Sequence, residues 1–218
     1  MEAALPTLEI GAARDDADVS VVLMHGLGAD GHDFADVAQA MSQAALPQRW
    51  RFVLPHAPQQ PVTINMGMLM PAWYDIIDLS HPREVNWDTV EESRTRIDAL
   101  VDAERAPKLI LAGFSQGAAM ALHVGLRRAT APAGILSMSG YLLEADARPC
   151  PKRTTDIPIG VFHGTADPVV PFSAAERTVE SLAAAGYSPT LHAYQGLEHS
   201  LCDEEIRDVF EWLGSVVE

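Results

Sequence analysis

At 218 residues the chain has the length of one substantial α/β domain, with enough residues for a continuous core and little left for a second. Apolar residues make up 48% and charged residues 21%, a balance that excludes a disordered or fibrous chain. The formal charge of −15, from 30 acidic against 15 basic residues spread along the chain, argues against nucleic acid and anionic membrane as partners and favours a neutral or weakly charged small molecule.

The N-terminal residues Met1-Glu2-Ala3-Ala4-Leu5-Pro6-Thr7 lack the basic region and apolar core of a secretory signal. No stretch reaches the roughly 18 apolar residues of a membrane span. A soluble, cytoplasmic protein without integral membrane association is therefore expected. The two cysteines, Cys150 and Cys202, are too few and too far apart for a disulfide framework and are read as reduced thiols. No Cys-x-x-Cys or Cys/His spacing suggests a metal site.

In chain order, an apolar strand is predicted at 19–24, followed by the glycine-rich His25-Gly26-Leu27-Gly28-Ala29-Asp30 and a helix at 31–45. A strand at 51–54 leads into the one segment of neither period, residues 56–86, rich in proline and carrying Met66-Gly67-Met68-Leu69-Met70-Pro71-Ala72-Trp73-Tyr74. Such apolar content predicts a folded excursion over the active site. Then come a helix at 89–105, a strand at 108–112, a helix at 116–128 and strands at 134–138 and 157–162. A helix at 173–185 closes on Gly186 as its C′ glycine, a strand follows at 189–194, and a last helix at 203–217 has Asp203 as its expected N-cap. Short apolar strands alternating with helices predict a mostly parallel central sheet with helices on both faces, in a single domain over 1–218.

Gly113-Phe114-Ser115-Gln116-Gly117 sits between a predicted strand and a predicted helix, the setting of a nucleophile elbow, where a sharp turn exposes a serine hydroxyl. That serine needs a base to take its proton and a carboxylate to orient the base, in the chain order Ser, Asp, His. His199, in the turn-rich Gln195-Gly196-Leu197-Glu198-His199-Ser200 before the last helix, is the candidate base. His163, at the end of a strand, and His192, within one, are read as structural. Asp167 follows the strand at 157–162 in a loop stiffened by Pro168 and Pro171. Alone it would be an ordinary Asx-turn aspartate; together with Ser115 and His199 it is the candidate acid. The N–H groups of Gln116 and Leu27 are the candidate oxyanion donors. The glycines after the first strand lack the third glycine and the ribose-binding acid of a nucleotide site. Chemistry of this kind needs no cofactor.

These blocks together resemble the carboxylesterase and acyl-protein thioesterase family, the phospholipase/carboxylesterases, within the α/β-hydrolase fold. The resemblance runs through Leu23-Met24-His25-Gly26-Leu27-Gly28, Pro55-His56-Ala57-Pro58, Pro61-Val62-Thr63-Ile64-Asn65, Met70-Pro71-Ala72-Trp73-Tyr74, the Ser115 block, His163-Gly164-Thr165-Ala166-Asp167 with Val170-Pro171, and Gly196-Leu197-Glu198-His199-Ser200. Its Pro-Val-Thr-Ile-Asn block is more similar to the bacterial carboxylesterase branch. It implies a catalytic Ser115, Asp167 and His199, oxyanion donors at Leu27 and Gln116, and an acyl-binding wall over 65–73, with Met66, Met68, Leu69, Trp73 and Val170 as substrate-binding residues. Met66 stands where relatives tend to carry glycine, which predicts added bulk near the acyl channel. The implied activity is hydrolysis of carboxylic esters of short to medium acyl chain, with a thioesterase, a lysophospholipase or a non-catalytic binding protein of the same fold as alternatives. The substrate partner is a small-molecule ester, and assembly is open between a monomer and a homodimer.

Overall fold

The computed structural model describes residues 4–44, 47–79, 83–143, 150–152 and 154–217. In chain order the first elements are β1 (Thr7–Gly11), β2 (Val19–Met24), a 3-10 turn (Gly31–Phe34), α1 (Ala35–Ser42) and β3 (Trp50–Pro55). Two small hairpins follow, β4 (Gln59–Val62) with β5 (Met68–Pro71) and β6 (Ile76–Asp78) with β7 (Glu84–Val85). The remainder alternates as α2 (Trp87–Asp102), β8 (Lys108–Phe114), α3 (Gln116–Gly125), β9 (Gly134–Met138), β10 (Ile159–Gly164), α4 (Phe172–Ala184), β11 (Thr190–Tyr194) and α5 (Asp203–Ser215).

Seven strands form one sheet in the order β1-β3-β2-β8-β9-β10-β11, parallel throughout except for β1, which pairs antiparallel with β3 at the edge. Alternation along β2 divides the core. Val22 and Met24 face α2, α3 and α4 through Val90, Ile97, Val101, Met120, Leu122 and Leu182. Val19, Val21 and Leu23 face α1 and α5 through Ala38, Met41, Val209, Trp212 and Leu213. Burial on both faces explains why β2, β3, β9 and β10 are buried at every position.

Several boundaries differ from the sequence expectation for identifiable reasons. The strand expected from Ile157 begins at Ile159, because Pro158 has no N–H to give the ladder; its carbonyl accepts from Ile135 instead, at 2.9 Å. The helix expected to Arg128 ends at Gly125, whose missing side chain makes room for Ile135. The helix expected over 31–45 divides into the 3-10 turn and α1, and Ala45 lies outside the described residues. Asp203 is the first residue of α5 and not its cap: the Sγ of Cys202 accepts from the Glu205 N–H at 3.5 Å. Gly186 does close α4, at φ +94°, with the Tyr187 N–H donating to the Leu182 carbonyl at 3.0 Å. The 56–86 segment becomes the two hairpins, with 80–82 outside the described residues.

Candidate active site

In a parallel sheet every strand points its carboxyl end the same way, so the loops after β2, β8, β10 and β11 gather at one edge. The tightest of them is the turn from β8 into α3. Ser115 occupies it at φ 53° and ψ −116°, a conformation side-chain-bearing residues rarely adopt and one that aims Oγ out of the turn. Glycine on either side is obligatory. A Cβ on Gly113 would lie 2.2 Å from the Gly117 carbonyl carbon, and one on Gly117 would lie 2.2 Å from the Met24 carbonyl oxygen. The elbow is thus wedged against β2, the strand that carries Leu27 beyond its end.

His199, between β11 and α5, brings Nε2 to 3.0 Å from Ser115 Oγ and Nδ1 to 2.7 Å from Asp167 Oδ2. The Asp167 side chain is fully buried. Its Oδ1 accepts from the N–H groups of Val169 and Val170, each at 2.8 Å. The aspartate therefore makes the Asx turn and, with its other oxygen, holds the imidazole. His163, on β10 beneath, donates from Nε2 to the Val170 carbonyl at 2.8 Å and lies 3.5 Å from Asp167 Oδ2. Burial holds His163 below the usual histidine range, so it stays neutral under the carboxylate and braces its loop. His192 stacks on Phe162 at 4.2 Å between ring centroids, away from Ser115. His123 lies in α3, paired with Glu91 at 3.2 Å.

The loop carrying Leu27 is fastened from two sides. His25 accepts the Ala57 N–H on Nε2 at 3.0 Å, which leaves the proton on Nδ1, donated to the Gly26 carbonyl at 2.7 Å. Burial lowers the pKa of this imidazole, consistent with the neutral tautomer. The Trp73 indole N–H donates to the His25 carbonyl at 2.8 Å, and the Gly28 N–H to the Pro71 carbonyl at 2.9 Å. Gln116 contributes more than a backbone N–H. Its buried side-chain amide accepts from the Trp73 N–H and donates to the Tyr74 carbonyl, each at 2.8 Å, so the start of α3 is stitched to the excursion. Its own N–H is the first of α3, one that no intrahelical carbonyl can accept.

Ser115 and His199 open on a groove of about 270 Å³ lined by Leu27, Phe114 and Gln116, and by residues of three further segments. The excursion supplies Ile64, Ile76, Leu79 and Arg83, the Asp167 loop supplies Val169 and Val170, and Tyr141 comes from beyond β9. Of the five expected substrate-binding residues, only Val170 lines it. Trp73 is fully buried behind the wall. Met66, Met68 and Leu69 are 91%, 56% and 72% exposed at the tip of the β4–β5 hairpin, outside the lining. The expected bulk of Met66 near the acyl channel is accordingly not found: the residue adopts a left-handed turn, φ 58° and ψ 31°, and its side chain points to solvent. The composition of the 56–86 segment signalled an apolar wall; which of its residues face the serine depends on hairpin pairing. Tyr141 follows Ser139-Gly140 just beyond β9. In the structure its hydroxyl meets that of Tyr74 at 2.5 Å, and the Arg83 guanidinium lies 3.8 Å above its ring.

Fold and edge together define a class: an α/β hydrolase, and a serine ester hydrolase among them. The chain belongs to the phospholipase/carboxylesterase family, whose profile matches residues 5–217. It is 34% identical over 225 residues to acyl-protein thioesterase 1 of Neurospora crassa, covering 95% of this chain and 90% of that one. It is 36% identical over 219 residues to acyl-protein thioesterase 1 of Mycosarcoma maydis, with 91% of each covered. Among solved structures, Zea mays acyl-protein thioesterase 2 superposes with a TM-score of 0.85 over 98% of this chain and 99% of that one, at 27% identity. Esterase PE8 gives 0.79 over 98% and 100%, at 28% identity. Among the described residues no helix is long and apolar enough to cross a membrane.

Proposed function

We propose that Ser115 attacks the carbonyl of a carboxylic ester while His199 takes its proton and Asp167 holds the imidazole in the required tautomer. The Leu27 and Gln116 N–H groups hold the resulting oxyanion, the alcohol leaves with the proton from His199, and water activated by His199 releases the acid from the acyl-enzyme. The observation that carries this reading is the continuous hydrogen-bonded run from Asp167 Oδ2 through His199 to Ser115 Oγ, opening on an apolar groove. At about 270 Å³ the groove falls just short of the roughly 300–1,000 Å³ of sites for drug-sized ligands, which favours short to medium acyl chains. In this reading one domain over 1–218 turns over a small-molecule ester in the cytoplasm.

A second reading, a thioesterase or lysophospholipase for longer chains, is favoured by the exposed Met66, Met68 and Leu69 beyond the groove and by the names of the relatives. The two differ in a rate series of p-nitrophenyl esters from acetyl to palmitoyl beside matched acyl thioesters, with Ser115→Ala as control. The carboxylesterase reading expects kcat/KM to peak at short to medium chains with thioesters no better than oxyesters. A rise toward palmitoyl with thioesters preferred overturns it in favour of the second.

A further inference from the structure

Beside the groove, three side chains with no part in the hydrolysis converge from two loops. Asp30 and His32 follow Leu27 on the β2–α1 connection, and His56 follows β3. One ligand atom from each, a carboxylate oxygen and two imidazole nitrogens, all lie within 4.8 Å of one another. The groups are partly arranged already. Asp30 caps the 3-10 turn, its Oδ1 accepting the His32 N–H at 2.7 Å and lying 3.0 Å from His32 Nδ1. His56 Nδ1 accepts the Gly31 N–H at 3.2 Å, and the two histidine rings are 5.2 Å apart.

We propose that Asp30, His32 and His56 form a binding site for a divalent transition-metal ion of the zinc class. Two imidazoles with one carboxylate are a ligand set that zinc accepts, with water completing a tetrahedron, whereas calcium and magnesium take oxygen ligands. Bonds of 2.0–2.2 Å in a tetrahedron separate ligand atoms by roughly 3.3–3.6 Å. Closing from 4.8 Å asks only for side-chain rotation, and the His32 and Asp30 side chains are 67% and 54% exposed. Binding replaces the His32–Asp30 contact, and His56 keeps its bond to Gly31 or exchanges it for the metal according to which ring nitrogen coordinates. The field favours a cation: Asp33 and Asp36 follow on the same segment, and the chain carries a formal charge of −15. The site is distinct from the serine chemistry. It would join the segment bearing Leu27 to the end of β3, so occupancy stabilises the folded chain as any native-state ligand does.

The test is calorimetric titration of the full chain with zinc chloride after treatment with a chelator, alongside calcium chloride and thermal unfolding with and without zinc. The proposal expects one zinc per chain, a raised Tm, no comparable calcium binding, and affinity in His32→Ala and in His56→Ala reduced by more than the roughly 10–100-fold that loss of an outer partner costs. His32 is exposed, so His32→Ala tests the site without disturbing the core. Zinc binding unchanged in His32→Ala overturns the proposal, as does the absence of stoichiometric binding by the parent chain. Ser115→Ala should bind zinc like the parent; loss of binding there would place the metal at the serine and also contradict the assignment.

Discussion

Asp167 uses its two oxygens for different tasks, and the difference is testable. Oδ1 is committed to the N–H groups of Val169 and Val170, while Oδ2 alone faces His199. Asp167→Asn preserves the turn through its remaining carbonyl oxygen but turns an amide N–H toward Nδ1, forcing the wrong imidazole tautomer. The expected result is a folded protein with kcat lowered by on the order of 10³–10⁴, read from ester turnover beside an unchanged unfolding curve. These residues were legible in sequence because each sits in a loop directly after a strand, where its chemistry has little structural competition. His163 was legible only as structural, since nothing in a sequence places it 3.5 Å under the carboxylate.

At the scale of elements, strands buried on both faces were readable as apolar runs. The ones that escaped notice are short or interrupted. β1 lies on the edge and is only partly buried, β4 contains Pro61, and β6 and β7 span three and two residues. Which residues line the groove was not legible for the same reason: β4–β5 pairing, Val62 with Met68 and Pro61 with Leu69, sends the apolar tip outward, while Ile64 and Ile76 turn in. Met66 makes this measurable. A non-glycine residue in the left-handed region costs roughly 1–2 kcal/mol, partly offset in Met66→Gly by the larger entropy of the unfolded chain. Met66→Gly should therefore be neutral to stabilising, by up to about 1 kcal/mol in urea unfolding, and leave kcat/KM for short esters unchanged. A large loss on acetyl or butyryl esters would return Met66 to the groove. The opposite holds at the elbow, where Gly117→Ala meets the Met24 carbonyl and backbone cannot yield. A destabilisation above about 3 kcal/mol is expected, visible as a lower Tm.

Across the whole molecule, α5 links the His199 loop to the core through one unusual group. Glu205 is fully buried in the apolar layer between α1, α5 and the sheet, both carboxylate oxygens lack a partner among the described residues, and burial, with Asp208 nearby, pushes its pKa up to about 8. Its ordinary value is 4.5, so from there to about 8 the folded chain keeps a proton that the unfolded chain has released. Stability from this group is therefore complete below pH 4.5, declines as pH rises and is lost through pH 8. Glu205→Gln, neutral at every pH, should flatten the slope, and its urea midpoint should gain on the parent between pH 5.5 and 8. Equal slopes for the two proteins would mean that Glu205 ionises normally.

The central claim is that Ser115, activated by His199, forms the acyl-enzyme, and a fluorophosphonate probe reads it most directly. The parent protein should gain the mass of one phosphonyl group, mapped to the peptide holding Ser115. Ser115→Ala should remain unlabelled and lose at least about 10⁴-fold in ester turnover with its fold intact. Labelling elsewhere in the parent, or turnover near the parent level in Ser115→Ala, would contradict the account.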